Sequence, residues 1–108
     1  MGKFRRVGAI VLAVTGMCAT AAHAAEPGIE PAADDTERLF GTLCGGCHPD
    51  GGRRAGRGPA LTTTALDTAA LTALVANGIP GKHPAYGRRL EPERIAALAD
   101  YVQALKGR

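Results

Sequence analysis

Residues 44–48 read "CGGCH", Cys44-Gly45-Gly46-Cys47-His48. Two thiols at this spacing, with an imidazole directly after the second, suit one covalent task. The thiols can add to the two vinyl groups of a haem as thioethers, and the imidazole can then reach the iron from the same side. Two other chemistries use paired cysteines. A thioredoxin-like redox pair wants a βαβ setting, and the sequence shows no strand alternation. A zinc site wants two more ligands at matching spacing, and no second cysteine pair exists. The motif therefore points to one covalent c-type haem, with Cys44 and Cys47 as the attachment points and His48 as the proximal iron ligand.

The chain outward from this motif is short. Its 108 residues allow one small domain. Residues 1–24 read as a secretory signal peptide: Lys3, Arg5 and Arg6 form a basic head, Val7–Met17 an uncharged apolar core, and Ala22-His23-Ala24 a small-residue exit. The apolar run is too short for a membrane span. Cys18 follows Met17, a poor fit to lipoprotein processing, and is expected to leave with the leader. Periplasmic location follows, with no integral span after processing.

Removing that segment takes three basic residues from the thirteen and none of the ten acids, which leaves ten of each. Formal neutrality gives no support to nucleic-acid binding. The charges are segregated: Glu26, Glu30, Asp34, Asp35 and Glu37 fall in 25–37 without a base, and the ten bases follow. A small chain without Trp needs a staple for its core. A bridge between Cys44 and Cys47 would close a tiny loop and add little, so the staple is expected to be the group they hold.

Residues 25–33 read as a loose acidic arm and 34–108 as the domain. Asp34 or Asp35 is expected to cap a first helix carrying Leu39, Phe40 and Leu43 on one face. Residues 49–60 are a Gly- and Pro-rich loop. Asp67 is expected to cap a helix over Thr68–Ala76 that Asn77-Gly78 ends. Pro92 suits the first turn of a last helix, whose apolar positions Ile95, Leu98, Val102 and Leu105 share one stripe.

Over roughly residues 34–106 the chain resembles a small bacterial class I cytochrome c. The resemblance implies an all-α fold with three main helices around one covalent haem. Phe40, four residues before Cys44, stands where the family has the aromatic that crosses the last helix, with Tyr101 and Leu98 as its expected partners. Thr36 stands where the family usually has a smaller residue, which implies a looser crossing. Gly58-Pro59-Ala60-Leu61 resembles the family's GPxL turn. The resemblance implies that its proline backs the proximal ring and that a neighbouring carbonyl accepts from the other ring nitrogen.

The family's distal ligand is typically a methionine in a loop before the last helix. Here the frame reads "GKHPAY", residues 81–86, with His83 in that place. The only methionines are Met1 and Met17, both in the expected leader. His83, Lys82, Lys106 or an open site remain as candidates. Pro84 restricts His83 to extended backbone, and a lysine must first lose a proton to bind metal. His83 is the favoured distal ligand, against the plainer reading of a solvated loop residue. Pro59, Leu61, Leu74, Ile79, Pro80 and Pro84 are expected to line the haem pocket.

Arg53, Arg54 and Arg57, with Arg88 and Arg89, form two basic groups on loops. They suit an acidic redox partner or the haem propionates, or are simply solvated. The expected function is one-electron transfer between a donor and an acceptor protein by a monomeric carrier. A haem enzyme or gas sensor with an open sixth site, peroxidase-like, is the alternative, and a cytochrome subunit of a larger oxidoreductase is a third.

Overall fold

A computed structural model of the chain describes residues 31–108, together with Ala13 and Gly16. The expected leader and nearly all of the expected acidic arm lie outside the described residues. Three helices carry the architecture: α1, Ala33–Leu43; α2, Thr68–Asn77; and α3, Pro92–Leu105. Two short 3₁₀ turns, Asp50–Gly52 and Leu61–Thr63, lie between α1 and α2. Among the described residues there is no strand, only an isolated antiparallel bridge between Ile79 and His83. The all-α architecture is as the sequence implies.

The helix ends follow local chemistry, with one correction. Asp67 accepts from the Ala70 N–H at 2.8 Å and caps α2, and Gly78 closes it at φ 62°. Pro92 occupies the first turn of α3, where its missing N–H costs nothing. The start of α1 differs from expectation. The helix begins at Ala33, and its cap position is Ala32, which has no side-chain acceptor. Asp34 and Asp35 lie inside the first turn instead, where their charge faces the positive end of the helix dipole without capping an N–H.

Helix α3 is the central packing element. Its stripe Ile95, Leu98, Ala99, Val102 and Leu105 is buried. Phe40 of α1, Leu71 of α2 and Leu98, Ala99 and Val102 of α3 form one cluster. Phe40 meets Tyr101 with ring centroids 4.8 Å apart and planes tilted by 38°, a geometry aromatic pairs favour. Thr36 on α1 is one of two buried polar residues among the described residues. Truncating Phe40 would leave a cavity at a cost of about 3–5 kcal/mol.

The Tyr101 hydroxyl also donates to the Gly51 carbonyl at 2.9 Å. That bond pins the tight turn after the cysteine motif, where Asp50, Gly51 and Gly52 all have positive φ. A Cβ on Gly52, whose φ is 91°, would press on the tips of Phe40 and Leu105, each at 3.0 Å. The motif's exit is thus moulded directly onto the helix crossing.

Candidate haem site

The cysteine motif continues the last turn of α1. Cys44 and Gly45 both donate to the Phe40 carbonyl, at 2.8 and 3.0 Å, and Cys47 and His48 donate to the Cys44 carbonyl, at 3.1 and 2.8 Å. Gly45 must be glycine, because a Cβ there would overlap the Gly41 carbonyl. Cys44 and Cys47 are free thiols. Burial, and then the nearby Cys47, push the Cys44 thiol up to about 11.

His48 is buried, at 9% exposure. Its Nδ1 lies 2.8 Å from the Pro59 carbonyl. A carbonyl only accepts, so Nδ1 carries the proton and Nε2 keeps its lone pair. The Gly58 N–H in turn donates to the Cys47 carbonyl at 2.9 Å, which draws the Gly-Pro turn against the motif. A Cβ on Gly58 would overlap the His48 ring.

Across from this wall lies the loop between α2 and α3. Ile79 and His83 exchange both backbone hydrogen bonds, at 2.9 and 2.8 Å, and so pinch the loop at its base. Gly78 and Gly81 have positive φ. A side chain on Gly78 would come within 2.5 Å of the His83 carbonyl. The half-buried His83 places Nδ1 2.8 Å from the carbonyl of its neighbour Pro84. The same argument as for His48 leaves its Nε2 with the lone pair.

Between the two walls is an apolar cavity of about 550 Å³, inside the size range of cofactor sites, about 300–1,000 Å³. Cys44, Cys47, His48, Pro59, Leu61 and Leu74 line it, and so do Lys82, His83 and Pro84. The residues fit a c-type haem: two unpaired thiols on one edge, an imidazole with a free Nε2, and apolar walls. Ile79 does not line this cavity. It is 45% exposed at the loop surface, because its backbone, not its side chain, makes the pairing with His83. Pro80 is outside the lining as well, and Lys106 is turned away, its Nζ donating to the Leu66 carbonyl at 2.9 Å.

Sequence reasoning passed over several wall residues, among them Leu66, Leu71, Val75 and Tyr86. Leu71 and Val75 lie on the apolar face of α2 and could have been drawn from its periodicity. Leu66 and Tyr86 come from loops, where no period marks them. The arginine groups divide. Arg57 reaches the cavity, whereas Arg53 donates to the Asp50 carbonyl at 3.3 Å. Arg88 and Arg89 flank the end of α2, with the Arg89 guanidinium 5.7 Å from the Tyr86 ring centroid. Among the described residues, no helix is long and apolar enough to cross a membrane.

The chain has relatives among known proteins. The family described as cytochrome c oxidase, cbb3-type, subunit III, matches residues 31–102. Two curated relatives are cbb3-type cytochrome c oxidase subunits FixP. The one from Azorhizobium caulinodans is 35% identical over 77% of this chain and 30% of its own length. The one from Bradyrhizobium diazoefficiens is 38% identical over 66% of this chain and 27% of its own. The chain thus spans less than a third of either relative. Among solved structures, cytochrome c6C from Synechococcus is 33% identical, with a TM-score of 0.53 over 64% of this chain and 90% of that one. Cytochrome c6 from the diatom Phaeodactylum tricornutum is 30% identical, with a TM-score of 0.55 over 67% and 91%.

Proposed function

From the premise that the chain belongs to the cytochrome c family, within the cbb3-type subunit III group, we propose that it is a one-electron carrier whose iron is held between two imidazoles, His48 and His83. When bound, a c-type haem supplies a single iron that cycles between ferric and ferrous. The chain's own residues do the rest. Cys44 and Cys47 anchor the group by thioethers. His48, fixed by the Pro59 carbonyl, would offer Nε2 from one wall, and His83, bonded only to its neighbour's carbonyl, would offer Nε2 from the other. Leu61, Leu71, Leu74 and Val75 exclude water between them. The observation that carries this reading is the pairing of two histidines on one apolar cavity, each with Nδ1 tied to a carbonyl.

Replacing the family's methionine by His83 has an electronic consequence. A thioether raises the potential of a haem iron, so two imidazoles favour the ferric form by comparison. The cavity wall, among the described residues, carries no carboxylate to move protons, which supports a carrier over a catalyst. Arg57 at the cavity and Arg88 and Arg89 beside it supply a basic field suited to an acidic redox partner. The likeness to FixP favours a second reading, in which the domain hands electrons on inside a larger oxidase. The leader pattern in 1–24 supports an extracytoplasmic site for either.

Two measurements on the purified protein test the core of this. Acidified organic solvent should leave the haem on the polypeptide, and intact mass should show one haem. A potentiometric titration should then follow a single one-electron step. Free haem in the organic phase, or a two-electron step, would overturn the reading.

A further inference from the structure

Tyr86 is 7% exposed, lines the cavity, and lies three residues beyond His83. Its hydroxyl donates to the Leu43 carbonyl at 3.1 Å, across 43 residues of sequence. Leu43 is the last residue of α1 and directly precedes Cys44. Its carbonyl is one of those a helix leaves without an internal partner. The N–H groups of Cys47 and His48, which could have reached it, both bond to the Cys44 carbonyl instead. The phenol therefore fills a place that the local chain does not.

The main chain of Tyr86 is anchored equally well. Its N–H donates to the Val75 carbonyl at 2.9 Å, and its carbonyl accepts from Arg89 and Leu90, both at 2.9 Å. By contrast, among the described residues the His83 ring makes its one hydrogen bond to the Pro84 carbonyl, and Pro84 has no N–H with which to anchor the segment between. One rigid point follows one weakly held imidazole, and that point is tied to the helix end that carries the first cysteine.

We propose that Tyr86 is a positioning residue for the distal imidazole: its hydroxyl fixes the loop bearing His83 to the end of α1 beside Cys44, and so sets how firmly His83 can hold the iron. The proposal rests on the reading of His83 as an iron ligand. The phenol bridges the two edges of the cavity, so removing it loosens the tie between them while the main-chain bonds of Tyr86 to Val75, Arg89 and Leu90 remain. The ring itself fills the wall and is retained in phenylalanine.

The test uses the haem-loaded protein with Tyr86→Phe, His83→Ala and the double variant, and cyanide as the probe of the sixth position. Tyr86→Phe should stay low-spin and keep its haem, but bind cyanide to the ferric form about threefold to tenfold faster, the scale of one lost hydrogen bond. In the His83→Ala background, Tyr86→Phe should make no further difference, because the ligand it positions is gone. A Tyr86→Phe protein with a lower unfolding temperature but unchanged cyanide kinetics would reduce the phenol to a structural role and overturn the proposal. Equal acceleration with and without His83 would overturn it too. A native protein that is high-spin before any substitution would instead refute the ligand reading beneath it, an outcome visible before any variant is made.

Discussion

The two walls of the cavity each present a histidine, and they hold it by different means. His48 is buried and bonded to a carbonyl eleven residues away in the chain. The turn that supplies this carbonyl is itself bonded back to Cys47, and Gly58 packs so closely that no side chain fits. All of these constraints come from one turn, Gly58-Pro59, that is distant from His48 in sequence. His83 is half-buried and bonded to the carbonyl of the very next residue. Its loop is closed by its own Ile79–His83 pairing. A side chain held across eleven residues of sequence cannot move without parting two segments, whereas one held by its neighbour can swing with its loop. The comparison implies a fixed proximal side and a displaceable distal one.

Between the two walls, the larger effect should come from Gly58→Ala. A methyl there overlaps the His48 ring, and overpacking of a tight site costs about 1–3 kcal/mol before the loss of the Pro59 hydrogen bond is added. For a domain this small, each kcal/mol lowers the unfolding temperature by about 4–8 °C. Thermal unfolding should show a drop at or above the top of that range, with poor haem incorporation. A variant as stable as the native protein would mean that the proximal side is as yielding as the distal one.

Gly78→Ala strikes the distal side alone. The position combines φ 62° with ψ −170°, a backbone region open almost only to glycine, at a cost of about 1–3 kcal/mol. Its Cβ would also press on the His83 carbonyl. Haem attachment should survive, and the absorption spectrum should gain a high-spin component. Loss of covalent haem in this variant would break the separation between the two walls.

The smallest effect is a pH dependence carried by two phenols, Tyr86 on the distal side and Tyr101 at the helix crossing. Burial raises the pKa of Tyr86 and of Tyr101 above the ordinary 10.0. The folded state therefore keeps each phenolic proton longer than the unfolded chain does. The contribution to stability is complete below the unfolded value and is lost as pH rises through the raised one. A phenolate can no longer donate to Leu43 or to Gly51. Unfolding temperature should hold steady up to about pH 9 and fall beyond pH 10, and Tyr101→Phe should shrink that fall. A decline already complete by pH 9 would exclude the phenols as its cause.

The legible parts of this molecule were those written in short spacing. The cysteine motif, the Asp67 cap, the Pro92 start and the apolar stripe of α3 each depend on residues within a few positions of one another. The family resemblance added Phe40 opposite Tyr101 and the Gly-Pro turn beside His48. What stayed hidden depends on distance in sequence. The bond from Tyr86 to Leu43 and that from Tyr101 to Gly51 join segments that no periodicity links. Ile79 misled because an apolar side chain near a cavity loop suggests lining, while its backbone pairing turns that side chain outward. Ala32 shows the opposite failure: with acidic residues available, α1 still starts ahead of them and does without a capping side chain.

The proposed place of His83 is on the iron, where the family typically has a methionine. Optical spectra of the native protein and of His83→Ala, oxidised and reduced, test it most directly. The native protein should be low-spin in both states, without the weak far-red band of sulfur-to-ferric ligation and without response to carbon monoxide. His83→Ala should keep its covalent haem, turn high-spin and bind carbon monoxide in the ferrous state. A native iron already open to carbon monoxide, or a His83→Ala spectrum identical to the native one, would contradict the account.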